Sequence, residues 1–216
     1  MSGPTLVIDL AEPLSPALLG EFRELMVGLS CRFEEKRPGY YDVNVPAERL
    51  GVADTRDAER RHRYPLPLPL LGGLQPADER LAALVGFDPR REDWRRPFHL
   101  YLMGAGAGDD DIFVDEHADE DTDAIAAVLG GPPVQAVNIS AGCNGRIDHV
   151  ATALLTAAVL DVIGGVGKAE LADGQQSVTT GLPGLLGITD DGWDTALVTA
   201  EFLRAWVERP GFRLVK

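Results

Sequence analysis

From Ile147 to Ile163 apolar residues recur at the spacing of one helical stripe: Ile147, Val150, Ala151, Leu154, Leu155, Ala158, Val159, Val162 and Ile163. Steps of three and four residues bring all of them to one side of a helix. Gly164-Gly165 then stops the helix through a left-handed cap. Burying five or six of the large side chains contributes on the order of 10 kcal/mol before chain entropy opposes it. A helix this apolar has to lie against another layer, and the rest of the chain must supply that layer.

The remaining elements are shorter. Strands are expected at 5–10, 40–45, 98–104, 111–117, 134–140, 168–171, 196–198 and 212–216, from apolar alternation and β-branched content. A helix is expected at 16–32, with Ser15 as N-cap and Pro16 in the first turn. Further helices are expected at 77–85, 122–129 and 200–208, the last stopped by Pro210. Strands and helices alternate without a strict βαβ rhythm. This predicts an α+β fold, with a largely antiparallel sheet and helices on one face. Residues 98–171 read β-β-α-β-α-β, so the second half should hold ferredoxin-like, split βαβ elements. The 216 residues suit a single domain, 1–216, with an irregular insertion rich in Arg and Pro at about 46–97. Prolines at 65, 67 and 69 make part of that insertion an extended brace.

Nine carboxylates lie between Asp109 and Asp123, and without them the formal net charge of -14 would be -5. Unpaired carboxylates are too costly to desolvate, so the run should face water or a basic partner. Asp109, Asp110, Asp111, Asp115, Glu116, Asp119 and Glu120 are the candidate binding residues. As a strand, 111–117 would put Ile112 and Val114 on one face and Phe113, Asp115 and His117 on the other. The carboxylates at 119–123 also suit the start of the next helix. The spacing does not make a calcium loop, although Asp109, Asp110 and Asp111 could hold a divalent ion loosely. Two arginine groups, Arg56, Arg60, Arg61 and Arg63, then Arg90, Arg91, Arg95 and Arg96, carry the opposite sign. Some of them should fold back and partly neutralise the run.

Catalytic signatures are weak. Cys143 precedes the long helix and His149 follows six residues later, so a thiol nucleophile with His149, His99 or His117 as base is the enzyme reading. A buried structural thiol is the commoner fate of such a cysteine, and of Cys31. His62, His99, His117 and His149 show no zinc-binding spacing, and GAGAG at 104–108 opens onto aspartates that would repel a phosphate. No metal and no cofactor is expected. The negative charge argues against nucleic acid and anionic membranes as ligands. No run of eighteen apolar residues and no basic, apolar leader is present, so a cytoplasmic location is expected.

Two segments, DHVATALLTAAVLDVIGGVGKAEL at 148–171 and TAEFLRAWVERPGFRLVK at 199–216, resemble a family of uncharacterised actinobacterial proteins of about this length. That resemblance carries no activity. The general build, small, acidic and α+β, is similar to immunity proteins of bacterial polymorphic-toxin systems. The leading expectation is therefore a non-enzymatic acidic protein that binds a basic protein partner, such as a toxin. The alternatives are a small cytosolic enzyme built on Cys143 and a structural subunit of an assembly.

Overall fold

The computed structural model describes residues 3–50, 95–107, 109–118, 120–190 and 192–215. In chain order the elements are β1 (Thr5–Leu10), α1 (Pro16–Leu29), β2 (Arg32–Arg37), β3 (Tyr40–Pro46), a 3-10 turn (Ala47–Leu50), β4 (Arg95–Gly104), α2 (Asp110–Glu116), α3 (Thr122–Leu129), β5 (Gln135–Ala141), α4 (Arg146–Ile163), β6 (Val166–Glu170), α5 (Gln176–Thr179), β7 (Leu185–Asp190), β8 (Asp194–Val198) and α6 (Ala200–Val207). The strands form one sheet in the order β2-β3-β4-β5-β1-β6-β8-β7. Every neighbouring pair is antiparallel. The fold class is α+β, as the sequence predicts.

The split βαβ element is present and has a definite form. Strands β5 and β6 run parallel, joined by α4, and β1 from the start of the chain lies between them, antiparallel to both. The turn from α4 into β6 passes close over the end of β1. Gly165 has φ +88°, and a Cβ there would lie 2.4 Å from the Asp9 carbonyl oxygen. Only glycine fits that turn.

Alternation divides the sheet into two faces. Leu6, Ile8, Leu10, Tyr41, Val43, Val45, Phe98, Leu100, Leu102, Val137 and Ile139 point to the main core. There they meet α1 through Phe22, Leu25, Met26 and Leu29, α4 along most of its length, and α6 through Phe202, Leu203 and Trp206. Helix α4 is flanked by α1 and α6 and is buried on nearly all sides, Thr152 and Thr156 included. The apolar stripe read from the sequence is thus only part of its contact surface. Helices α1, α4 and α6 do share one face. Helices α2 and α3 lie on the other, where Phe113 packs near Val7, Met103 and Ala136, and Ile125 packs with Val166 and Leu197.

Several local expectations are corrected. Residues 111–116 lie in α2 and His117 caps it, so 111–117 is not a strand. Strand β2 (RFEEKR) was not expected, because it is a charged edge strand with no apolar alternation. Strand β7 and the short α5 were also missed, and residues 212–215 are irregular, not a terminal strand. The helix expected at 77–85, the proline brace, and Arg56, Arg60, Arg61, Arg63, Arg90 and Arg91 lie outside the described residues.

Candidate functional site

The acidic run folds onto the second face of the sheet and uses its two sides differently. Phe113 in α2 and His117 at its C-cap are the inward positions, one turn apart, and their rings lie tilted at 35° with centroids 4.2 Å apart. Phe113 sits over Gly104, where a Cβ would come within 2.8 Å of its ring. The strand pattern in 111–117 misleads because Ile112-Phe113-Val114 is a β-branched and aromatic run of high strand preference. The deciding contact, Phe113 on Gly104 and Met103, is tertiary and overrides local β preference. Asp115, which alternation would have turned to the side of Phe113 and His117, is exposed on the outside.

The inner side of this segment is ionic. Asp9 of β1 and Lys168 of β6 are buried diagonal neighbours on the same sheet face. His117 Nε2 donates to Asp9 Oδ1 at 3.0 Å, and His117 Nδ1 donates to the Phe113 carbonyl at 2.8 Å. Lys168 Nζ donates to both Glu120 oxygens, at 2.6 and 2.7 Å, and lies 3.4 Å from Asp9 Oδ2. Burial works against a charged His117, but the hydrogen bond to Asp9 and the Phe113 carbonyl outweigh it, and the histidine pKa is raised. Burial also lifts the Glu120 carboxyl, against the pull of Lys168. Asp9 and Lys168 escape sequence reading because each is a charge inside a short strand with no local motif around it. Their partners lie more than forty residues away along the chain.

The candidate binding residues are therefore not equivalent. Asp109 is committed to a bidentate pair with Arg37, at 3.1 and 2.6 Å, and Glu120 is committed to Lys168. Glu116 is half-buried, and burial, then the neighbouring Glu116, raise the Tyr101 pKa. Asp110, Asp111 and Asp115 are exposed on the outer side of α2, beside Ile112 (41% exposed) and Val114 (63% exposed). Asp119 lies outside the described residues. The loose divalent site at Asp109, Asp110 and Asp111 loses its first ligand to Arg37.

Of the two arginine groups only Arg95 and Arg96 lie among the described residues, so the expected return to the run is decided for Arg96 alone: it pairs with the buried Asp148 at the start of α4, at 3.2 Å. Arg37, from the β2–β3 hairpin, pairs with Asp109 of the run. The Cys143 reading gains no partner: the thiol is exposed, and among the described residues no hydrogen bond joins it to a histidine. His149 is buried in α4 and its Nδ1 accepts from the Leu214 N–H. His99 bonds to Asp42 at 2.6 Å on the exposed part of the second face. Ser140, directly across from His99, instead donates to Asn138 at 2.7 Å and pairs with Thr5 at 3.0 Å.

A family model covers residues 2–216. The chain belongs to the family of unknown function DUF6368. This agrees with the resemblance to an uncharacterised family and extends it to nearly the whole chain. No curated protein and no solved structure matches. Among the described residues no helix is long and apolar enough to cross a membrane.

Proposed function

We propose that this DUF6368 protein is a non-enzymatic binding protein that docks a basic protein through the outer face of α2. The observation that carries the reading is the make-up of that face. Asp111 and Asp115, one turn apart, are exposed on the outer side of α2, Asp110 is exposed in its first turn, and exposed Ile112 and Val114 lie on its two flanks, on a helix whose remaining side is fastened to the sheet. Carboxylates that steer, beside apolar side chains that can be buried on docking, are how protein interfaces divide steering from affinity. The net charge of -14 adds a long-range field of the same sign. A toxin domain neutralised by an acidic immunity protein is the specific case that this build fits, and a cytoplasmic location goes with it.

The test begins with the protein immobilised and challenged with an extract of its source cells. Wild type should retain a protein of basic composition, identified by mass spectrometry and then purified. An Ile112→Ala/Val114→Ala variant should bind that purified protein at least tenfold more weakly. Retention of no basic protein, or equal binding by the variant, would overturn the proposal.

A further inference from the structure

Beneath α2 and α3 three ligand-type side chains from distant parts of the chain converge. His117 Nε2 lies 3.0 Å from Asp9 Oδ1 and 3.7 Å from Glu120 Oε2. One donor atom from each of Asp9, His117 and Glu120 lies within 4.8 Å of the others. A tetrahedral ion bound at about 2.0–2.2 Å to nitrogen and oxygen holds its ligand atoms roughly 3.3–3.5 Å apart. The histidine nitrogen thus stands near coordination spacing from both carboxylates before any ion is considered.

Two independent features point the same way. The remote nitrogen of His117 is fastened to the Phe113 carbonyl, the outer contact that typically orients a ligating imidazole and leaves Nε2 facing the ion. Asp9 is fully buried, and its Oδ2 has no hydrogen bond; the nearest cation is Lys168 Nζ at 3.4 Å. A buried carboxylate oxygen left in this way is costly and marks a place where a stronger cation would be gained.

Lys168 stands at the centre of the same three groups, with its Nζ also 3.5 Å from His117 Nε2. An ammonium and a divalent ion cannot share that point. We infer that Asp9, His117 and Glu120 form a divalent transition-metal site of the zinc class, in which Lys168 is a built-in competitor that the ion displaces. One imidazole with two carboxylates is a zinc-type ligand set, and three protein ligands are too few for calcium. Because His117 and Glu120 flank the end of α2, the ion would clamp that helix to β1. The inference does not depend on the outer face of α2 or on any partner.

The experiment is calorimetric titration of the full chain, stripped with a chelator, with Zn2+ alone. Wild type should bind one equivalent that is lost in His117→Ala. Lys168→Met should bind zinc at least tenfold tighter, because the competing charge is gone. Asp110→Asn/Asp111→Asn should keep the equivalent, which separates the site from the surface carboxylates. Lys168→Met leaves two carboxylates uncompensated and could fail to fold without metal. In that event the readout moves to wild type: a zinc-induced rise in melting temperature, abolished by Glu120→Gln and by His117→Ala. Zinc binding that survives His117→Ala, a wild type that binds none, or a folded Lys168→Met that binds no tighter would each overturn the inference.

Discussion

At the scale of single residues, buried charge is where this chain carries most risk. Asp148 is 1% exposed in its side chain, and its two oxygens are used by Arg96 and by the backbone N–H of Gly145. Removing the guanidinium strands a buried carboxylate, which typically costs about 3–5 kcal/mol. Arg96→Met should therefore lower the unfolding free energy by about 3 kcal/mol in urea titration. A loss under about 1 kcal/mol would mean that the carboxylate is solvated, contrary to this structure. Gly165 is the second sensitive position. Gly165→Ala meets both a positive φ and the Asp9 carbonyl, and should cost about 2 kcal/mol or more by the same measurement. Neither partner of these residues could be read from the sequence, because Arg96–Asp148 and Gly165–Asp9 are contacts across the fold.

At the scale of elements, sequence reading succeeds where periodicity is long and fails where tertiary contact decides. Helix α4 and strand β1 carry unbroken apolar patterns, and their spans are recovered to within a residue. Strand β2 has no such pattern; its pairing with β3 and its charges make it a sheet edge. Segment 110–116 has a strand-like alternation but docks as a helix through Phe113. Phe113→Ala should free α2: amide exchange across 110–117 should rise sharply while that of β1 and β5 stays slow. Protection unchanged at 110–117 would show that the ionic contacts alone hold the helix. Strand β2 supplies a pH dependence. Burial would raise the Glu35 pKa, but hydrogen bonds from Arg23 and the Gly39 N–H prevail, and it is lowered from its ordinary 4.5. A depressed carboxyl stabilises the fold above its unfolded pKa and loses that stabilisation as pH falls through the folded value. The melting temperature of Glu35→Gln should accordingly fall less than that of wild type on going from about pH 5 to pH 3. Parallel pH profiles would contradict the assignment.

At the scale of the whole molecule, among the described residues, one face of the sheet packs against α1, α4 and α6 and the other carries α2 and α3. The charge of -14 is read directly from composition, but composition cannot say which carboxylates remain free. The fold removes Asp109 and Glu120 to internal pairs and leaves Asp110, Asp111 and Asp115 exposed, with exposed Ile112 and Val114 on the flanks of the same helix. On the proposed reading these three carboxylates steer a basic partner onto α2. The direct measurement is stopped-flow association with the purified partner, across ionic strength, for wild type and for Asp110→Asn/Asp111→Asn/Asp115→Asn. Steering of this kind raises association by about tenfold or more at low salt and is largely screened above about 0.1 M. The variant should associate about tenfold more slowly at low salt, with a flatter salt dependence and a rate that converges on wild type at high salt. Equal rates and equal slopes for the two proteins would contradict the account.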